Sequence, residues 1–303
     1  MQDFASTSLS PLSIAGAVLR RLSGLGKAVR RRRMILVAGT GLLGVVSLAL
    51  LAPAILPDPR ILDPLHRLQP PGSDHWFGTD NLGRSVFIRT LYGTRVSLTI
   101  GFLVSFVTTL VGVFIGLVAG SQRLLDGLIM RAMDGIMAIP GVLLAIALMS
   151  LFGSSLTNVV VAISVPEVPR MARLVRSTVL TLRELPFIEA AIAMGTRLPR
   201  LLSRHLLPNV VAPVLVQATF VFASAMIVEA ILSFLGAGTP PDVPSWGGML
   251  SEARRFLQRA PWMIAFPGIS LGALVLLVNL LGDALRDTLD PRLSRQLRSR
   301  HAS

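Results

Sequence analysis

The sequence predicts an all-α integral membrane protein with six transmembrane helices and both ends on the cytoplasmic side. Three observations carry that expectation. The 303 residues are 52% hydrophobic and 15% charged, with a mean hydropathy of +0.68, whereas a soluble domain carries about a quarter charged residues. Apolar runs close to the ~20 residues that cross a bilayer as a helix recur along the chain. The basic residues fall between those runs, concentrated in alternate segments. In a soluble protein the net charge of +13 would suggest nucleic acid. Between apolar runs it fits an anionic membrane face instead, so membrane lipid is the expected partner and nucleic acid is not. There is no cysteine, which excludes disulfides, thiolate nucleophiles and cysteine-ligated metals from the chain.

Residues 1–33 form a basic tail. Met34 to Ile55 is the first span. Ala52-Pro53-Ala54 fits a signal-peptidase site, but the long basic leader and a run near 20 residues fit an uncleaved anchor. Val96 to Ala119 is the second span and Ile136 to Phe152 a shorter third. Leu156 to Pro166 is apolar, but Glu167, Arg170, Arg173 and Arg176 follow it. Charge bias decides that it crosses. With that crossing, the inside segments hold 21 of the 29 Lys+Arg and the outside segments hold 8. Val210 to Val228 opens the fifth span, which can run on to Leu235. Trp262 to Gly282 is the sixth, and 284–303 form a second cytoplasmic tail. Gly112, Gly116 and Gly120, and again Gly268 and Gly272, recur at four-residue spacing, which lets helix backbones approach closely within the chain. Thr79 or Asp80 is expected to cap a helix beginning near Asn81.

Between the fourth and fifth spans lies EAAIAMGTRLPRLLSRHLLP, residues 189 to 208. The pattern from Glu184 to Met194 permits a short helix with Phe187, Ala190, Ala191 and Met194 along one side. Gly195 offers a break, because glycine adopts positive φ readily. From Arg197 a second helix can run to Leu207, with Arg197, Arg200 and Arg204 on one face and Leu198, Leu201, Leu202 and Leu206 on the other. A hairpin held at the surface by anionic lipid would want the same amphipathicity as a docking site.

Glu189-Ala190-Ala191, three residues, Gly195, nine residues and then His205-Leu206-Leu207-Pro208 resembles the EAA loop of ABC importer permeases, whose pattern is E-A-A-x3-G-x9-I-x-L-P. His205 stands at the isoleucine position, a departure associated with the peptide-importer branch. HWFGTDNLGRSVFIRTLYGTRVSL (75–98), LSFLGAGTPPDVPSWGGMLSEAR (232–254) and NLLGDALRDTLDPRL (279–293) resemble the C-type subunit of dipeptide, oligopeptide and nickel permeases. The resemblance covers roughly residues 30 to 293. It implies the type I ABC importer permease fold over 34–283, with its core at about 94–283. It further implies a coupling loop in which Phe187, Ile188, Glu189, Ala190, Ala191, Met194 and Gly195, completed by His205 and Pro208, engage a cytoplasmic ATPase subunit. The partners it implies are a second homologous permease, two ATPase subunits and an extracytoplasmic solute-binding protein. Short peptides are the implied cargo. Nickel chelates, glutathione, opines and small glycosides are the alternatives.

An integral-membrane hydrolase is the rival class. No histidine lies in an expected span, and no H-E-x-x-H occurs. The one lysine, in Gly24-Leu25-Gly26-Lys27-Ala28, lacks the earlier glycine and the hydroxyl of a P-loop. The chain is therefore expected not to be an enzyme and to hold no cofactor of its own, with ATP bound by partner subunits. Glu229 is the acid set deepest in an apolar run. A charge there must face water, a partner or the protein interior, so Glu229 is a candidate for the translocation path or an outer gate, with a structural hydrogen bond as the competing role.

Overall fold

The computed structural model describes residues 35–289, with side chains to 288. The N-terminal tail and most of the C-terminal tail lie outside the described residues. Nine helices account for most of the described chain. Helix α1 (Ile35–Ile55) is followed by an irregular segment, then α2 (Val86–Ser121). Next come α3 (Arg123–Met137), α4 (Gly141–Phe152), α5 (Leu156–Arg183) and the short α6 (Pro186–Ala193). Helix α7 (Leu198–Phe234), α8 (Trp246–Ala253) and α9 (Trp262–Leu289) complete the order.

Four helices, α1, α2, α7 and α9, are long and apolar enough to cross a membrane, and the bent pair α3–α4 makes up to five. The expected single span over Ile136 to Phe152 is instead broken, with an 84° bend between α3 and α4. Pro140 explains the break, since it has no N–H for the helix ladder and disfavours helical φ/ψ at the residue before it. The expected crossing at Leu156 to Pro166 is the first part of the 28-residue α5, which holds Pro166 and Pro169 in its interior. Its second half carries the charges that keep it from passing as an apolar span.

Helix α2 starts ten residues before the apolar run, at Val86, and Ser85 is its cap, accepting from the Ile88 N–H at 3.5 Å. Thr79 and Asp80 do other work. The Asp80 carboxylate accepts from the N–H groups of Leu82 (2.8 Å) and Arg84 (2.9 Å) and fixes a turn. It also accepts from Arg84 Nε (2.6 Å) and Arg89 Nη1 (2.7 Å). Glu252 on α8 accepts from the same two arginines at 2.6 and 2.8 Å. Asp80 and Arg89 are buried, so two carboxylates and two guanidinium groups neutralise one another where an unpaired charge would be costly. Phe77 stacks on Phe266 with ring centroids 3.9 Å apart, and Trp246 Nε1 donates to the Thr90 carbonyl at 2.9 Å. These contacts tie residues 63–89, α8 and the start of α9 into one end of the bundle.

The centre of the bundle is the parallel pair α2–α5. A Cβ on Gly112, Gly116 or Gly120 would lie 2.6 Å from Met171 Cβ, 2.6 Å from Val175 Cβ and 2.8 Å from Val179 Cβ respectively. The three glycines are thus where two backbones meet, the intrachain packing their spacing suggested. The second glycine pair differs: Gly268 has only Leu250 nearby, at 3.9 Å, and Gly272 has nothing within 4 Å. Arg176 and Arg173 on α5 pair with Asp126 and Asp134 on α3. Arg183 donates to the Gly120 (3.1 Å) and Ser121 (2.9 Å) carbonyls, which end α2 without helical partners.

Gly116→Leu forces α2 away from α5. It is expected to destabilise the protein by about 1–3 kcal/mol or more, read as a lower unfolding midpoint in detergent, whereas Gly272→Ala, which meets open space in a helix interior, does not lower the midpoint.

Candidate functional site

Parallel packing puts the end of α5 beside the end of α2, and the chain turns back there through α6. Pro186 opens α6, where its missing N–H costs nothing. Ile188 and Ala191, one turn apart, are buried. They join Met171, Val175 and Val179 of α5 and Leu201, Leu206, Val210 and Val214 of α7 in one apolar cluster. The helix stops at Gly195, whose φ is +78°. The Gly195 N–H donates to the Ile192 carbonyl (2.9 Å) and the Thr196 N–H to the Ala191 carbonyl (3.1 Å), the two bonds of a Schellman motif. A Cβ at Gly195 would meet nothing within 4 Å. The demand for glycine is therefore one of backbone conformation, not space.

The second half of the hairpin is not a separate helix. Leu198 begins α7, which continues as one body to Phe234. Residues Leu202–Leu206 form a π turn, closed by the Leu207 N–H donating to the Leu202 carbonyl. Pro208 gives the reason: it has no N–H, and its ring crowds the carbonyl four residues back, which the wider turn relieves. Arg197, Arg200 and Arg204 are exposed, whereas Leu201 and Leu206 are buried.

The expected stripe of Phe187, Ala190, Ala191 and Met194 is split. Phe187, Ala190 and Met194 face outward, Phe187 47% and Met194 80% exposed, and Ile192 beside them is 44% exposed. Ala191 belongs with Ile188 on the anchored side. Glu189 and Gly195 are exposed, His205 is half-buried and Pro208 is exposed within α7. The His205 carbonyl accepts from Asn209 Nδ2 at 2.7 Å. Val175, Val179 and Arg183, which hold the hairpin in place, were not singled out in the sequence. The i, i+4 spacing of the two valines and a basic residue at a helix end were the available signals.

Glu229 lies on α7 with no exposed surface. Its Oε1 accepts from Ser233 Oγ at 2.7 Å, and its Oε2 has no partner. Ser233 Oγ accepts from the Thr239 N–H (3.1 Å), Thr239 Oγ1 donates to Ser245 Oγ (2.9 Å), and Ser245 accepts from the Gly248 N–H (3.1 Å). The carboxyl thus ends a chain of hydroxyls joining α7, residues 236–245 and the start of α8. Among the described residues no arginine pairs with it.

The described chain is thus an all-helical membrane bundle that fastens one face of a short hairpin and presents the other. The chain belongs to the binding-protein-dependent transport system inner membrane components, whose family model matches residues 112–295. It is 50% identical to the probable peptide ABC transporter permease protein y4tQ of Sinorhizobium fredii, over 89% of this chain and 93% of that protein. It is 41% identical to the glutathione transport system permease protein GsiD of Pectobacterium atrosepticum, over 87% and 88%. Its fold matches a chain of the MetNI methionine ABC transporter in an inward-facing conformation, with a TM-score of 0.57 and 19% identity, over 67% of this chain and 97% of that one. The chain is accordingly a multi-pass inner-membrane permease component of an ABC importer, a class of machine that also needs an ATPase and a substrate-binding protein.

Ile188→Ala removes most of a fully buried side chain and is expected to cost about 2–5 kcal/mol in hairpin anchoring. Gly195→Val strains a positive φ that Gly195→Asn tolerates. Hydrogen exchange at the Thr196 amide is the measurement: faster in Ile188→Ala and Gly195→Val, near the parent rate in Gly195→Asn.

Proposed function

We propose that this chain is one of two different permease subunits in an importer of short peptides, and that the outward face of α6 docks on a cytoplasmic ATPase subunit. The observation that carries this is the two-sided hairpin. Ile188 and Ala191 anchor it, while Phe187, Ile192 and Met194 are left apolar and exposed beside Glu189. A hairpin held only by lipid has no need of a turn locked by Gly195 or of a rigid link to α5 and α7. A firm link is what passes ATPase closure to the spans.

The rest of the assembly follows from that role. ATP is bound by two partner subunits, since the sequence offers no P-loop. An extracytoplasmic binding protein delivers cargo to the path formed with the second permease. The chain crosses six times, with α5 as one crossing and both ends cytoplasmic, as the 21-to-8 distribution of basic residues supports. Peptide cargo is supported by the name of the 50%-identical relative. Glutathione is the second cargo favoured by a specific observation, the name of a 41%-identical relative, and it is itself a small peptide. Glu229 serves this machine as a tie between α7 and the extracytoplasmic residues 236–248, the role its hydroxyl chain supports.

Met194→Glu and Glu189→Lys are expected to weaken ATPase binding about tenfold or more and to lower uptake in proportion, with the protein still in the membrane. Parental uptake and assembly in both would reduce the hairpin to a surface element. Reporter fusions after residues 127, 190 and 295 should report cytoplasm, and those after 70 and 248 the outside. A fusion at 190 reporting outside would remove the α5 crossing and the docking role together. Glu229→Gln is expected to transport normally, and Glu229→Leu to lose assembly.

A further inference from the structure

A cavity of about 230 Å³ opens between α5, α7 and α9, lined by Glu167 and Arg170 of α5, Gln217, Phe220 and Ser224 of α7, and Asn279 of α9. Its depth follows from helix geometry. Glu167 lies eleven residues along α5, ~16 Å from its start at 1.5 Å per residue. Ser224 lies ten residues from the matching end of α7, ~15 Å away. Both are close to the middle of a ~30 Å hydrocarbon layer. Gln217 and Asn279 are seventeen residues from that same end, ~25 Å, on the hairpin side of the middle.

Charges at such a depth are costly unless they face water, a partner or cargo. Arg170 keeps 57% of its side chain exposed, whereas Glu167 keeps 12%. Arg170 Nη1 donates to both Glu167 oxygens, at 3.1 and 3.0 Å. One nitrogen of the guanidinium is thus tied to the carboxylate, and the exposed remainder carries donors in the planar fork that matches a second carboxylate. Glu167 also offsets the arginine's charge while the cavity is empty. Around the pair stand two amide side chains, which both donate and accept as peptide groups do, and a wall that is otherwise apolar, made by Phe220, Val221, Ala223 and Ile227.

We propose that this cavity is a cargo subsite on the translocation path, in which Arg170, braced by Glu167, receives the carboxylate of a short peptide while Gln217 and Asn279 bond to its peptide groups. The inference rests on peptide import and deepens it. Pockets that enclose a whole small ligand run to about 300–1,000 Å³, so the subsite takes one end of the cargo. It is a transient resting place near the midplane, the depth at which secondary transporters also hold their substrates.

The sequence contains no cysteine, so Ser224→Cys places a single thiol of this chain on the cavity wall. In the assembled complex, maleimide labelling of that thiol is measured with increasing trialanine and with trialanine amide. Trialanine is expected to slow labelling, and the amide to do so more weakly. Adding Arg170→Gln should raise the trialanine concentration for half-protection about tenfold or more, and Arg170→Lys should restore part of the effect. Labelling indifferent to trialanine, or slowed equally with Arg170→Gln, overturns the subsite. Ile227→Cys, on the same wall, carries the same readout if Ser224→Cys does not assemble. Uptake of trialanine by the parent complex with its binding protein separates the two claims. Uptake without protection defeats the subsite alone, whereas a parent that takes up no trialanine but takes up a glycoside or a nickel chelate defeats peptide import.

Discussion

The close approach of α2 and α5 is the constraint on which the rest of the molecule depends. Three glycines one turn apart let the α2 backbone lie against Met171, Val175 and Val179 with no side chain between. In a bilayer helices gain little from the hydrophobic effect, because lipid tails are as apolar as the side chains they would replace. Close backbone packing supplies the attraction instead. It also places the end of α5 beside the end of α2, where Pro186 holds Leu185 extended and the chain turns back. The same valines that meet the glycines belong to the cluster that receives Ile188 and Ala191. A displacement of α6 therefore pushes on the central helix pair and not on a loose loop.

The two ends of the bundle are built in opposite ways. At one end the paired charges of Asp80, Arg84, Arg89 and Glu252, the stacked Phe77 and Phe266, and the hydroxyl chain from Glu229 to Ser245 tie residues of separate segments together. At the other end α6 leaves apolar side chains facing outward. Satisfied polar networks resist rearrangement, whereas an exposed apolar face waits for a partner. Motion is expected to enter at the hairpin and to be transmitted along α5 and α7. The Glu167–Arg170 pair lies between the two ends.

Much of this was legible in the sequence, and the limits have physical causes. The break at Gly195 could be read because glycine takes a positive φ at a helix end at the lowest cost, and the amphipathic pattern after Arg197 could be read because charge and leucine alternate with helical period. Hydropathy placed the apolar cores of α2 and α7 but not their true ends, because helix continues through polar residues wherever its ladder is unbroken. Val86 to Arg95 and Leu198 to Asn209 are such extensions. The bend at Pro140 and the π turn before Pro208 depend on local backbone chemistry that mean hydropathy ignores. The division of α6 into an anchored and a presented face was missed, since Ile188 and Phe187 are both apolar and only the positions of Val175 and Val179 distinguish them. Glu229 could be flagged as a deep acid, but Thr239 and Ser245, which extend the chain beyond its partner Ser233, are brought there by tertiary structure.

If the α6 face docks on an ATPase subunit, a cysteine at Met194, which is 80% exposed against 47% for Phe187 and 44% for Ile192, lies at the contact. In a complex assembled with its ATPase subunits, Met194→Cys should cross-link to an ATPase subunit with a short thiol-to-amine reagent, and the yield should change when ATP is bound. A complex that assembles and hydrolyses ATP while Met194→Cys stays freely labelled and forms no cross-link would contradict the account.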